Sequence, residues 1–191
     1  MSLIRRVSGD LFKHSAKASK PVFAHATNLR GIWGGGVAAE FQKLFPSAFL
    51  KHEEHCKNVA PIKLIGTSQV IETEPQDPGN EGRDLPAVVV CLFSSDLGNQ
   101  YTKFNIQGYT DNALTDLKDK IKDIKDVESE DGKVVLSMPK INAGIFNVPW
   151  HETETILEKH PEFIFNVYSL EDGWPKNAGQ EDSPLDELHV G

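Results

Sequence analysis

The sequence has only two cysteines and no long apolar run. These features argue against a disulfide-rich protein and against a membrane-spanning one. Cys56 and Cys91 are its two cysteines among 191 residues. They are too few for a disulfide framework, which favours a reducing compartment. The longest apolar run, 85–93, is far shorter than the ~20 residues that a membrane-spanning helix needs. Since the first residues lack the apolar core of a signal peptide, we expect a cytoplasmic or nuclear protein.

Basic residues are also scarce. The chain carries 20 Lys and Arg against 28 Asp and Glu, a formal net charge of −8, and no dense basic run. Nucleic acids and anionic membranes are bound by basic surfaces, so neither is expected as a main partner. A small anionic ligand held by backbone amides remains compatible with this charge.

Several catalytic motifs of phosphate chemistry are missing. There is no Gly-Lys-Ser or Gly-Lys-Thr P-loop, which disfavours hydrolysis of nucleoside triphosphates. Cys91 has Leu97, not arginine, six residues further on, so the loop of cysteine phosphatases is absent. No Asp-x-Asp pair is available for an aspartyl-phosphate route.

The sequence alternates between strand-like and helix-like segments, and its length suits one domain. We predict strands at 3–7, 21–25, 63–72 (one strand or two short ones), 86–93, 133–137 and 163–170. We predict helices at 37–44, 46–58, 111–127 and 149–159, and a surface loop at 73–85. This alternation is typical of an α/β fold with a mixed or mostly parallel sheet between two helical layers.

The end of the chain has a different composition. Residues 171–191 contain six acids, one lysine and little apolar periodicity. Such segments bury too little apolar surface to order themselves. We therefore expect one domain over 1–170, followed by a mobile acidic tail over 171–191.

The most informative segment is the glycine run Gly34-Gly35-Gly36, which lies between a predicted strand and a predicted helix. Glycine lets a ligand approach the backbone closely. At a helix start, unpaired N–H groups and the helix dipole together favour phosphate. A plain glycine-rich turn is the alternative.

A second segment of the same kind follows the predicted strand 133–137. It contains Asn142, Ala143 and Gly144 and leads to Pro149, which suits the first turn of a helix. In a parallel sheet both segments meet at the carboxyl edge of the strands, where α/β folds bind ligands. Together they predict a clamp for a pyrophosphate. We name 33–38 the first loop and 139–146 the second loop.

Polar residues stand near these loops. Asp10 follows the first strand, where its carboxylate suits an adenine amine, or else simply stabilises a turn. His25 and Asn28 precede the first loop and suit proton handling or sugar contacts. The alternatives are core packing for His25 and a turn for Asn28.

Aromatic and metal-binding residue types also occur near these segments. Trp33 suits a cap on the cleft and Phe146 suits stacking on a sugar, although aromatic residues beside loops more often pack ordinarily, as we expect for Trp150. The segment 52–56, His-Glu-Glu-His-Cys, lacks the zincin spacing of two histidines four residues apart. We interpret it as a solvated helix face and predict no metal site.

The chain resembles a macrodomain, most closely the fungal ADP-ribose 1''-phosphate phosphatase type, and the resemblance extends to about Leu170. The motifs that carry it are Gly9-Asp10-Leu11, His25-Ala26-Thr27-Asn28, Trp33-Gly34-Gly35-Gly36-Val37 and Ile141-Asn142-Ala143-Gly144-Ile145-Phe146. The resemblance implies a three-layer α/β/α fold with a mixed central sheet. It also implies that Asp10 binds the adenine amine, supported by the Leu11 amide, and that Asn28 contacts the distal ribose.

The remaining ligand contacts that the resemblance implies come from the two loops and their neighbours. Tyr168 would lie beside the adenine. The implied binding residues are Gly9, Asp10, Leu11, Ala26, Thr27, Asn28, Trp33, Gly34, Gly35, Gly36, Val37, Ala38, Pro139, Lys140, Ile141, Asn142, Ala143, Gly144, Ile145 and Phe146.

The resemblance implies a phosphatase that converts ADP-ribose 1''-phosphate to ADP-ribose. We expect no cofactor and no metal. His25 and Asn28 are the candidates for proton handling, ahead of His151. No nucleophile is evident, so we expect water to attack. The expected partner is a small-molecule ADP-ribose derivative, and the expected state is a monomer.

Two other functions stay open at this point. One is a non-catalytic reader of ADP-ribose, and the other is a hydrolase of protein-linked or O-acetyl ADP-ribose. Similar macrodomains that remove ADP-ribose from glutamate carry a lysine in the first loop and an aspartate in the second. Here Gly35 and Phe146 occupy those places, which disfavours a lysine-adduct route.

Overall fold

The structure, a computed structural model, describes residues 3–170. This range contains seven strands: β1 (Ile4–Ser8), β2 (Val22–Thr27), β3 (Ser68–Glu72), β4 (Val88–Phe93), β5 (Ser129–Glu130), β6 (Lys133–Met138) and β7 (Phe163–Ser169). It also contains five α-helices: α1 (Gly36–Leu44), α2 (Pro46–Asn58), α3 (Pro61–Leu64), α4 (Lys103–Lys120) and α5 (Trp150–Leu157). Single 3-10 turns occupy Leu11–Lys13, Pro78–Asn80 and Ile121–Asp123.

The strands form one mixed sheet in the order β1-β7-β6-β2-β4-β3, with β5 paired to β6. The first five strands of this order are parallel, and β3 runs antiparallel to β4. The β2–β6 pairing stops after Phe23 and Ser137, so the last four residues of β2 have no strand partner on the β6 side. The sheet therefore opens between β2 and β6 at its carboxyl edge, the position where such sheets bind ligands.

Alternating side chains of the central strands pack against helices on both faces of the sheet. Ala24 of β2 belongs to the cluster that contains Leu114 of α4 and Trp150 of α5. Its neighbour Phe23 belongs to the opposite cluster, with Phe41 of α1. Because strand side chains alternate between faces, this arrangement requires helices on each side. The predicted three-layer α/β/α fold with a mixed sheet is confirmed.

The strand predicted over 63–72 is confirmed for Ser68–Glu72, which forms β3, and is wrong for the residues before it. Pro61 begins the short helix α3, a position that suits proline because its missing N–H would be unpaired there. Gly66 then adopts a left-handed conformation with φ of +76°, which separates α3 from β3. The apolar residues of this segment therefore belong to a helix and to a strand.

The helix α4 begins and ends earlier than the helix predicted at 111–127. Thr102 caps α4, because its side chain accepts a hydrogen bond from the Asn105 N–H. The buried side chains of Ile106 and Thr110 extend the packed face toward the N-terminus. The helix ends at Lys120, followed by a 3-10 turn that the pattern did not reveal.

The segment predicted as a surface loop, 73–85, carries a buried polar anchor. The Asn80 side chain donates to the Thr73 hydroxyl and to the Glu74 carbonyl, and it accepts from the Ala87 N–H. Only 6% of Asn80 is exposed. Three hydrogen bonds satisfy this buried amide, which holds the loop against the core.

The predicted acidic tail, 171–191, lies outside the described residues. Among the helices of 3–170, none combines the length and the apolar character needed to cross a bilayer.

Candidate functional site

A cleft of about 570 Å³ lies at the carboxyl edge, where the sheet opens between β2 and β6. Its walls come from the end of β2, the first loop, the second loop and the segment after β4. The lining residues are His25, Ala26, Thr27, Asn28, Ile32, Trp33, Gly34, Gly35, Gly36, Val37, Ala38, Leu97, Pro139, Lys140, Ile141, Asn142, Gly144, Ile145 and Phe146. The structure therefore brings together the two loops that the sequence predicted to act as a clamp.

The first loop ends as the N-terminus of α1, and no side chain caps this helix. Gly35 is the N-cap residue, with extended backbone at φ −153°. Within 3–170, the N–H groups of Gly36, Val37 and Ala38 donate to no protein acceptor. Since the helix dipole adds positive potential at this end, these groups suit an anion.

The glycine that needs its conformational freedom is Gly36. Its φ is +56°, in the left-handed region that side chains disfavour. A Cβ added to Gly35 would meet no atom within 4 Å. Gly35 thus leaves open space in front of the helix N-terminus, and Gly36 makes the turn into the helix.

Trp33 anchors the first loop. Its ring is 2% exposed and lies 4.8 Å from His25, edge to face, and 6.2 Å from Phe41 between ring centroids. The predicted role of Trp33 as a cap on the cleft is therefore wrong for its ring, because the aromatic core encloses it.

Asn28 uses both ends of its side-chain amide to shape the chain before the first loop. Its Nδ2 donates to the Ile32 carbonyl at 2.8 Å, and its Oδ1 accepts from the Arg30 N–H at 2.9 Å. This is the turn-forming role that asparagine commonly plays. The predicted ribose contact and proton handling of Asn28 stay predictions.

Asp96 does not line the cleft but joins two segments beside it, a supporting role that the sequence prediction missed. Its carboxylate, 3% exposed, accepts from the Leu29 and Leu97 N–H groups and pairs with the Arg30 guanidinium at 3.0 Å. The hydrogen bond and the charge of Asp96 raise the pKa of Arg30. Asp96 thereby joins the segment after β2 to the segment after β4, which contributes Leu97 to the cleft.

Ile32 and Leu97 were also missed as cleft-lining residues. Ile32 lies inside the segment that leads to the glycine run, and Leu97 follows a strand that ends at the carboxyl edge. Their position after parallel strands was the available signal.

The second loop is tightly turned around Asn142, whose φ is +65°. Its carbonyl accepts from the Val148 N–H at 2.8 Å, and the Ala143 N–H donates to the Lys140 carbonyl at 3.3 Å. The N–H groups of Gly144, Ile145 and Phe146 donate to no acceptor within 3–170. The second loop thus supplies a further set of available donors to the cleft.

The charges around the cleft suit an anionic ligand. Lys140, 3% exposed, is the basic residue of the lining, and no lining residue within the described range carries a carboxylate. Carboxylates would repel phosphate groups and compete for the backbone donors.

His25 lies in the core behind the cleft and is fully buried. Its ring stacks on Phe41 at 4.0 Å, with the planes 14° apart. Burial, followed by the nearby His52, lowers the pKa of His25 well below its usual value. The ring is therefore neutral at pH 7, and it lacks an imidazolium proton to give to a leaving group. Its catalytic role stays a prediction.

Four predicted ligand residues lie outside the lining of the cleft: Gly9, Asp10, Leu11 and Ala143. Asp10 caps a 3-10 turn by accepting from the Phe12 N–H at 2.9 Å. Its carboxylate is exposed, so this cap leaves it open to solvent. The adenine contacts of Asp10 and Leu11 stay predictions.

Two more residues with predicted roles are placed by the structure. The Tyr168 hydroxyl lies 2.8 Å from His14 Nδ1, and burial raises the pKa of Tyr168. His151 is exposed on α5 and does not line the cleft.

The segment 52–56 is not the uniformly solvated helix face that we predicted. His52 is fully buried, and its Nδ1 lies 2.9 Å from Gln69 Oε1. Burial raises the pKa of the Cys56 thiol to about 11. No three histidine, cysteine, aspartate or glutamate side chains of 3–170 converge as ligands for a metal ion.

Comparisons with known proteins agree with this geometry. A family model of the Macro domain matches residues 24–157. The ADP-ribose 1''-phosphate phosphatase of Meyerozyma guilliermondii is 44% identical over 177 residues, which cover 89% of this chain and 100% of that protein. The protein of the same name from Saccharomyces cerevisiae is 33% identical over 188 residues, again 89% of this chain and 100% of that protein.

Solved structures share the fold. The macrodomain of Mycobacterium tuberculosis DarG matches with a TM-score of 0.62 at 21% identity, over 88% of this chain and 98% of that chain. Thermosipho africanus DarTG in complex with ADP-ribose matches with a TM-score of 0.62 at 13% identity, over 97% of this chain and 44% of that chain. The family model spans most of the sequence, and the phosphatase relatives match over their full length, so the chain belongs to the macrodomain family.

Proposed function

We propose that this protein is an ADP-ribose 1''-phosphate phosphatase. Water attacks the phosphorus of the terminal phosphate, the bond between phosphorus and the 1'' oxygen breaks, and a proton reaches that oxygen. The products are ADP-ribose and inorganic phosphate.

The observation that supports the proposal most directly is that two groups of backbone N–H donors without protein acceptors lie at one cleft. The N–H groups of 36–38 and those of 144–146 have no acceptor within the described residues, and no carboxylate lines the space that they share. Backbone donors without a protein partner are costly unless water or a ligand binds them. Phosphate oxygens supply several acceptors at once, which fits two such sets.

The relatives support the choice of substrate. Five proteins named ADP-ribose 1''-phosphate phosphatase are 40–44% identical to this chain over 88–89% of its length. The predicted loops lie within those matched lengths. We therefore assign the same substrate to this chain.

The cleft contributes binding energy and electrostatic stabilisation to the reaction. Contacts to the adenosine and the pyrophosphate hold the terminal phosphate in place, which lowers the entropic part of the barrier. Backbone N–H groups fixed before the reaction stabilise the charge on the transferring phosphoryl group.

Phosphate release is the test of this function. The purified chain is incubated with ADP-ribose 1''-phosphate, and both inorganic phosphate and ADP-ribose are quantified. We expect equal amounts of the two products, and little release from AMP, which lacks the distal ribose. A chain that binds ADP-ribose but releases no phosphate would instead be a reader.

A further inference from the structure

A buried chain of hydrogen bonds runs from the second loop to the middle of α4. The Ser94 hydroxyl donates to Asn142 Oδ1 at 2.7 Å, and Asn142 Nδ2 donates to the Thr110 hydroxyl oxygen at 2.9 Å. The Thr110 hydroxyl donates in turn to the Ile106 carbonyl at 2.7 Å. Ser94 and Thr110 are fully buried and Asn142 is 5% exposed.

The direction of donation along this series of hydrogen bonds is fixed. A threonine hydroxyl has one hydrogen, and that of Thr110 is used by the Ile106 carbonyl, so its oxygen can only accept from Asn142. The Asn142 amide must therefore point its NH₂ at Thr110 and its oxygen at Ser94. Each polar group has a partner, and the amide has one orientation.

This orientation matters for the second loop because Asn142 is its turning point. The residue has φ of +65°, which asparagine tolerates better than most residues. Its carbonyl holds Val148, and the unpaired N–H groups of 144–146 follow it in the chain. A rotation of Asn142 would change the direction of those N–H groups.

We propose that Thr110 is a positioning residue of the site: acting through Asn142, it sets the direction in which the second loop presents its N–H groups to the ligand. Thr110 does not line the cleft. The proposal rests on the proposed function for its substrate, but its effect extends to any ligand phosphate that the second loop binds.

The test compares Thr110→Val, which keeps the shape but removes the acceptor, with Thr110→Ser, which keeps the hydroxyl. Thr115→Val is the control, since the exposed Thr115 hydroxyl makes the same kind of bond to the Asp111 carbonyl on the same helix. The affinity for ADP-ribose is measured by calorimetry, kcat and KM by phosphate release, and the backbone amide signals of 144–146 by NMR.

We expect Thr110→Val to weaken ADP-ribose binding and to lower kcat/KM by about tenfold to a hundredfold, the loss that a misplacement of about 1 Å can cause. The amide signals of 144–146 shift without ligand. Thr110→Ser and Thr115→Val bind and react as the parent chain does. If Thr110→Val fails to fold, Ser94→Ala removes the hydrogen bond to Asn142 at the other end of the series. It is expected to cause the same loss of affinity and of kcat/KM and the same shift of the amide signals.

A folded Thr110→Val chain with parent affinity, parent kinetics and unshifted loop signals would overturn the proposal, even if its melting temperature fell. The calorimetric readout separates the two proposals. If the parent chain releases no phosphate, the phosphatase function fails, whereas the positioning role is still decided by ADP-ribose affinity.

Discussion

The indole of Trp33 stacks on the imidazole of His52, with ring centroids 5.0 Å apart and planes 29° apart. His52 stacks on Phe93 as well, at 5.5 Å. This contact joins the first loop to α2 behind it. A charged imidazole in this dry position would lose its hydration, and burial accordingly lowers the pKa of His52 to about 4.

The protein is expected to lose stability as the pH falls from about 6.5 to about 4. An unfolded histidine titrates near 6.5, so in this window the unfolded chain binds a proton that His52 in the folded chain does not. The unfolded state is favoured progressively, by up to roughly 3 kcal/mol for His52. The lowered pKa of His25 acts in the same direction. Urea unfolding at pH 7, 5.5 and 4.5 measures the effect.

The same urea unfolding experiment on His52→Phe tests whether His52 is the source of this pH dependence. Phenylalanine keeps a ring between Trp33 and Phe93 but cannot titrate, so the free energy of unfolding should depend less on pH. His151→Phe makes the same change at an exposed position and is the matched control. An undiminished slope in His52→Phe would assign the effect to other groups.

The sequence predicted the two loops because their signals are local. Glycines or small residues follow a strand and precede a helix in both cases, and the parallel sheet brings them to one edge. The hydrogen bonds that hold the loops in place could not be predicted from such local signals. Thr110 and Asn142 are 32 residues apart and Leu29 and Asp96 are 67 apart, so tertiary packing alone creates these contacts.

The sequence also left the roles of individual residues of the first loop open. For Trp33 we considered a cap on the cleft, with ordinary packing as the alternative, and the structure shows packing, because the apolar ring buries more surface against the rings of the core. The left-handed turn falls at Gly36. In a run of three glycines, no side chain marks which residue makes the turn.

ADP-ribose is expected to raise the melting temperature. A ligand at 100 times its Kd stabilises the native state by about 2.7 kcal/mol, which corresponds to about 5–10 °C for a domain of this size. AMP at the same concentration should have a smaller effect, since it lacks the distal ribose and the second phosphate. Differential scanning calorimetry measures both shifts. An unchanged melting temperature at saturating ADP-ribose would contradict the assignment of the cleft.

Asp10→Ala is expected to weaken ADP-ribose binding by about tenfold to a hundredfold, the range for a lost hydrogen bond to a charged group. Asp10→Asn is the control, because its amide oxygen can still accept from the Phe12 N–H and preserve the cap. We expect Asp10→Asn to lose less affinity and no stability. If Asp10→Ala lowers stability but leaves the calorimetric Kd unchanged, Asp10 serves only the turn.

Gly35→Asp is expected to stabilise the free protein and to weaken its ligand binding. The N-cap of α1 has no side chain, and a Cβ at Gly35 would enter open space. An aspartate there accepts from the N–H groups of Val37 or Ala38 and interacts favourably with the helix dipole, worth about 0.3–1 kcal/mol. The same carboxylate occupies the donors and repels the ligand's phosphates, so affinity should fall by more than about tenfold, or 1.4 kcal/mol.

Gly35→Glu places a longer side chain with the same charge at this point and should also weaken binding by more than about tenfold. Gly35→Ala is the matched control, because φ of −153° suits any residue and the added methyl meets no atom. It should bind ADP-ribose nearly as the parent chain does. Circular dichroism verifies the fold, and thermal unfolding and ADP-ribose titration give the two readouts. If Gly35→Asp gained stability and kept parent affinity, the N-terminus of α1 would not be the phosphate site, since its donors would be capped while the ligand was bound.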